Sequence, residues 1–165
     1  MLLKKIVVTM RNKYIIGIDP DAEKSGIAIL DTETKEIELF TKSFPETIEF
    51  LKLFSENYND FIIVIEAGWM VKKSNFHKFH GQVGERIAAK VGANHETGKK
   101  IIEMMNYYNI PIQEIHPLKK MWKGKEGKIT HEEISKFVNM PKQSNQEVRD
   151  AALIAWNIAG FTIKI

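Results

Sequence analysis

The chain has no cysteine, only five prolines and no long apolar run. Each absence excludes something. Without cysteine there is no disulfide scaffold, no thiolate-bound zinc and no thiol nucleophile. No repeat, low-complexity tract or linker-like stretch divides the chain. No apolar run approaches the roughly 20 residues that cross a bilayer, so the expectation is a soluble protein with no membrane partner. The opening Met1-Leu2-Leu3-Lys4-Lys5-Ile6 has too short an apolar part for a signal peptide, which makes the cytoplasm the expected compartment. Residues 1–13 read as an N-terminal extension, with Met10 an alternative start. Residues 14–165 read as one domain, and that length buries a substantial core without staples.

What is present is unevenly charged. The formal net charge is only +3. Residues 72–90 nevertheless place Lys72, Lys73, Lys78, Arg86 and Lys90 against Glu85 alone, and residues 119–128 place Lys119, Lys120, Lys123, Lys125 and Lys128 against Glu126 alone. The rest of the chain is therefore net acidic. Two basic segments on an acidic body suit an anionic partner such as a nucleic-acid backbone; ordinary solvated loops are the plainer reading. Phe76, Phe79 and Trp122 lie among these lysines, a mixture suited to stacking bases where phosphates are neutralised.

The apolar pattern predicts strands at Tyr14–Asp19, 26–30 and 37–41, an antiparallel meander whose first strand is central. A helix opened by Pro45 leads to a fourth strand, Phe61–Glu66. A helix over 96–109 precedes a fifth strand at 111–115, residues 119–128 form a basic loop, and helices follow at 130–139 and 145–160. The order implies one α/β domain with a mixed sheet.

Two strands end in acids. Two antiparallel steps make the third strand parallel to the first. A right-handed crossover then lays the fourth parallel to the third and free to pair with the first. If the first and fourth strands are neighbours, Asp19 and Glu66 emerge side by side at their carboxyl ends, with backbones about 5 Å apart, where ligands of open α/β sheets bind. A carboxylate closing an apolar run is costly to bury unless it is paired or metal-bound; the plainer reading is a strand reaching solvent. On the last helix, Glu147 and Asp150 share a face at i, i+3. Ser144-x-x-Glu147 has the form of a capping box, which accounts for Glu147 without any function. Asp150 lies beyond the capping turn.

Taken in order, these residues resemble a known family. Ile16-Gly17-Ile18-Asp19-Pro20 with Ser25-Gly26, then Ile65-Glu66 with Trp69, then Gly98 to Pro111-Ile112, then Pro117-Leu118-Lys119-Lys120 with Gly124 and Lys128, and finally Glu147-x-x-Asp150-Ala151-Ala152-Leu153, are similar to the RuvC-type Holliday junction resolvases of the RNase H-like superfamily. The likeness runs over about 14–160. It implies an RNase H-like mixed five-stranded sheet, a three-strand antiparallel meander plus two parallel strands, flanked by helices. It also implies a metal-dependent endodeoxyribonuclease that acts on branched DNA as a homodimer. Asp19, Glu66, Glu147 and Asp150 would hold two Mg2+ ions, with Mn2+ able to substitute. Trp69, Lys72, Lys73, Lys119, Lys120, Lys123, Lys125 and Lys128 would contact nucleic acid, with Trp69 stacking at an opened base step or simply packing at the rim. Hard divalent ions want carboxylate oxygens, which this chain supplies without cysteine. The segment 71–92 is longer than its counterpart in the family, and its His77 and His80 have no matched ligand pair beside them.

Two other readings remain: the same chemistry on RNA or another DNA structure, and a non-catalytic nucleic-acid-binding module. The second predicts lost acids, and all four positions hold carboxylates. Related sugar-kinase-type ATP-binding folds need two such domains.

Overall fold

Tyr14–Asp19 (β1) carries apolar residues on both sides because it becomes the middle of a sheet whose two faces are both covered. In the computed structural model, which describes residues 12–71 and 81–165, the other strands are Ser25–Asp31 (β2), Ile37–Lys42 (β3), Phe61–Glu66 (β4) and Ile112–Ile115 (β5), in the order β3-β2-β1-β4-β5. β1 pairs antiparallel with β2, and β2 antiparallel with β3. β4 is parallel to β1, and β5 parallel to β4. This is the mixed sheet the sequence predicts.

The period of two along each strand sorts the core into two layers. Ile16, Ile18, Ile27, Ile29, Ile63 and Ile65 face one side. Helix Phe44–Asn57 (α1) covers them with Ile48 and Leu51, and helix Gly81–Tyr107 (α2) with Ile101 and Met105. Ile15, Ala28, Leu30 and Val64 face the other side, under helix Gln146–Ile158 (α4) and the short helix His131–Ile134 (α3). By the same alternation Gly17 and Asp19 lie on the α4 side of β1, Gly26 on that side of β2, and Glu66 on that side of β4.

α4 sits directly on β1 and β2. A Cβ at Gly17 would collide with the Ala151 carbonyl and crowd Ala155, and one at Gly26 would collide with the Glu147 carbonyl. The helix contributes only small side chains there, Ala151, Ala152 and Ala155, all fully buried. Glycine inside a strand often marks such a close approach of backbone.

Three expectations need correction. α2 begins at Gly81 rather than near residue 96. Its first half buries no complete stripe, and Gly84 and Gly92 lower its helix propensity, so neither periodicity nor composition announces it. The basic residues Arg86 and Lys90 therefore ride on a helix. The helix foreseen over 130–139 spans only His131–Ile134. Beyond it Lys136 and Phe137 donate to Glu133 and Ile134, i to i−3, and the chain turns before Pro141. Finally, α4 is capped by Asn145, whose Oδ1 accepts from the Val148 N–H at 3.0 Å, and not by Ser144. The Ser144 hydroxyl instead shares a 2.7 Å hydrogen bond with His131 Nδ1.

Most of the 1–13 extension, along with Lys72, Lys73, Phe76, His77, Lys78, Phe79 and His80, lies outside the described residues. Within the described part of the extension, the Lys13 carbonyl accepts from the Thr32 N–H at 2.8 Å. Among the described residues no helix is long and apolar enough to cross a membrane.

Because the seat of α4 is backbone against backbone, Gly17→Ala should cost about 1–3 kcal/mol, the usual penalty of overpacking. Urea unfolding measures this, and an unchanged midpoint would contradict the close-seat account.

Candidate active site

The β1–β4 ladder ends on the pair Ile18–Ile65, and the next residue on each strand is an acid, Asp19 or Glu66. Both project from the face that α4 covers. Asp19 is also the ladder partner of Gly26, whose missing side chain makes room for the Glu147 carbonyl. The first turns of α4 are thereby held over Asp19, and they carry Glu147 and Asp150. The shifted cap matters here. With Asn145 accepting from the Val148 N–H, the Glu147 carboxylate is not needed for a capping box, and it sits in the first turn of the helix.

Asp19, Glu66 and Asp150 line one pocket of about 90 Å³ together with Lys119, Lys120 and Lys128. The electrostatics reflect this crowding. Burial, then the neighbouring charges of Asp150 and Glu66, push the Asp19 carboxyl well above the ordinary carboxylate range; Lys128 opposes the rise. Burial and Asp150 raise Glu66, and a backbone hydrogen bond from Leu118, with Lys120 and Lys128, pulls it back. Burial raises Asp150, countered first by Lys128 and then by Gln146. Burial draws the Lys128 ammonium downward, but Asp150 and Asp19 outweigh it, so its pKa stands above the usual lysine value.

Each oxygen of Asp150 has its own partner. Gln146 Nε2 donates to Oδ1 at 2.7 Å, and Lys128 Nζ lies 3.4 Å from Oδ2. Gln146 is itself fixed. Its Oε1 accepts from Arg149 at 2.9 Å and its amide also donates to the Ile129 carbonyl at 3.2 Å. Sequence reasoning missed Gln146. The available signal was its place one turn before Asp150 on the same helix face. It also missed Gly17 and Gly26 as the seat of α4, for which glycine within an apolar strand was the signal.

The basic segment 119–128 forms a tied loop. Trp122 N–H donates to the Gly127 carbonyl at 3.0 Å and Gly124 N–H to the Lys128 carbonyl at 2.9 Å. Buried Glu133 accepts from the Lys123 N–H at 3.1 Å and the Thr130 N–H at 3.0 Å. Gly127 adopts φ +75°, a left-handed conformation that suits glycine. This folding aims Lys128 at the acids, whereas Lys123 and Lys125 are exposed and do not line the pocket. Trp122 stacks on Phe137 at 6.3 Å, packs against the α4-side core and also lines the acidic pocket. Trp69 follows Glu66 on a short 3-10 turn. Its ring and Pro20 both close on Gly98 of α2, with His95 edge-on at 6.0 Å and the Lys99 ammonium 5.8 Å from the ring centre.

The donor set suits a hard divalent cation: carboxylate oxygens from two strand ends and a helix, already drawing on an ammonium as counter-charge. Among the described residues, no three such side chains gather closely enough to ligate one ion as they stand.

The raised Asp19 gives a pH prediction. A carboxyl whose folded pKa exceeds its unfolded value contributes full stability below the unfolded pKa, about 3.9. That stability is lost as pH rises through the folded value. In EDTA, Asp19→Asn should therefore melt at a higher temperature than wild type near pH 8, and the gap should close as pH falls toward 4. A variant that melts lower at pH 8 would contradict the crowding.

Comparison with known proteins comes down to fold. No family model matches the sequence, and no curated protein matches it. Among solved structures, T. thermophilus RuvC in complex with a Holliday junction substrate is similar at a TM-score of 0.53 and 13% identity, covering 86% of this chain and 89% of that one. The chain therefore has an RNase H-like fold.

Proposed function

We propose that this chain is a divalent-metal-dependent, structure-selective endonuclease that cuts branched DNA such as Holliday junctions. One observation carries the reading: Asp19, Glu66 and Asp150 meet three lysines in a single pocket on the α4 side of the sheet. Carboxylates and lysines at one spot can bind both cations and phosphates. The RuvC structure of similar fold is bound to a Holliday junction, which supports branched DNA as the substrate class.

In this reading Asp19, at the end of the central strand, would hold the metal ions together with Glu66, Glu147 and Asp150. Two Mg2+ or Mn2+ ions, when bound there, supply activation of a water and stabilisation of the leaving oxygen in phosphodiester hydrolysis. The chain's own groups do the rest. Gln146 orients Asp150, as hydrogen-bonded outer partners orient metal ligands generally. Lys119 and Lys120 neutralise phosphates, a sequence-independent and salt-sensitive contribution. Lys123 and Lys125, on the exposed side of the same loop, extend the basic surface, and Lys72 and Lys73 belong to it by sequence. A homodimer supplies the two active sites that symmetric cutting of a junction requires.

The test uses labelled four-way junction, linear duplex and RNA–DNA hybrid, with Mg2+, with Mn2+ and with EDTA. Paired nicks confined to the junction are expected, absent in EDTA. Asp19→Asn should lose more than the about 10–100-fold typical of an outer-shell partner, and Gln146→Ala should fall within that range. Replacing Lys119 or Lys120 by Ala should weaken junction binding and lower the slope of log K against log salt by about 1. Tight binding without cleavage in either metal would overturn the nuclease reading, and cleavage of the hybrid alone would move the substrate to RNA.

A further inference from the structure

We infer that Lys128 is a built-in counter-cation that competes with the divalent ion for the acidic cluster. In the metal-free chain its ammonium stands at Asp150, and metal binding displaces it toward bound phosphate. The inference rests on the proposed metal site and concerns how that site is kept before metal arrives.

Four observations converge. Lys128 Nζ lies 3.4 Å from Asp150 Oδ2. Its charge acts on Asp19 and Glu66 as well as on Asp150, the acid it touches. It is brought there deliberately by the fold, because the loop that carries it is tied by Gly124, Gly127 and buried Glu133. Finally, among the described residues no three acids stand close enough together to ligate one ion as they are.

The two partners of Asp150 differ in how easily they leave. Gln146 is short, lies on the same helix, and is held by Arg149 and the Ile129 carbonyl. Lys128 is a point charge on a flexible four-carbon stem, and its Nζ has no other hydrogen bond or ion pair recorded among the described residues. Removing either charge sign alone would leave the other poorly compensated in a partly buried pocket. A divalent ion replaces the ammonium's compensation, and the freed ammonium is then available to an incoming phosphate. Metal and lysine thus exclude each other at Asp150, while lysine and phosphate attract. By linkage, DNA that engages Lys128 tightens metal binding, and metal tightens DNA binding by the same factor.

The test is calorimetric titration of the full chain with Mn2+ at pH 7.5, without DNA, for wild type, Lys128→Met, Lys128→Arg and Lys120→Met. Lys128→Met should bind Mn2+ about fivefold or more tightly than wild type. Lys128→Arg should stay near wild type, and Lys120→Met should change less than Lys128→Met. Reductive methylation of the wild-type chain, read by peptide mass spectrometry, should label Lys128 faster with Mn2+ than in EDTA. Equal Mn2+ affinity in wild type and Lys128→Met, an equal gain in Lys120→Met, or metal-independent labelling of Lys128 would overturn the inference while leaving the metal site intact. No Mn2+ binding by any variant would overturn the metal site itself, and the inference with it.

Discussion

The structure depends on how closely α4 can approach the sheet. At Gly17 and Gly26 no side chain stands between strand and helix backbone, and buried Ala151, Ala152 and Ala155 keep the helix side thin. A helix packed at ordinary distance on larger residues would carry its acids farther from β1 and β4. Here the Glu147 carbonyl rests where a Gly26 side chain would be, beside Asp19. Stability and site geometry are thus set by the same contacts. The alternation along β1 then does the rest, since Ile15, Gly17 and Asp19 share one face, so that anchoring, seating and chemistry fall on one row.

That approach creates an electrostatic problem, which the basic loop answers. Burial raises Asp19, Glu66 and Asp150, neighbouring acids add to the rise at Asp19 and Glu66, and Lys128 opposes it at all three, with Lys120 also acting on Glu66. The loop is tied by backbone hydrogen bonds and by Glu133, with exposed lysines outside and Lys128 inside. An isolated acidic cluster would be under tension. One with an internal cation is stable enough to fold, and still exchangeable when a stronger cation arrives.

Much of this was legible from sequence. The two apolar runs ending in Asp19 and Glu66 announced buried strands, handedness made them parallel and free to pair, and the structure pairs them. Asp150 stood out because no capping role explained it. What was illegible arose from tertiary contact. The first half of α2 has no complete apolar stripe, so its helicity left little mark on the pattern. Asn145 and Ser144 are both good caps in sequence; in the fold the Ser144 hydroxyl is engaged by His131 and Arg149, and Asn145 makes the cap. Gln146 looks like any polar residue of a first helical turn until Asp150, Arg149 and the Ile129 carbonyl are placed around it. Trp122 reads as a stacking aromatic beside lysines, and the fold commits it to Phe137.

The central claim is that the seating of α4 joins the strand-end acids and the helical acids into one divalent-cation site. Crystals of the protein grown without metal and soaked in Mn2+ test it directly by anomalous scattering. The account predicts manganese at the carboxyl ends of β1 and β4, with Asp19 and at least one α4 carboxylate among ligands at about 2.1 Å, near the short distances of small divalent ions, and with the Lys128 ammonium moved off Asp150. Manganese bound elsewhere, or none at these acids at saturating concentration, would contradict it.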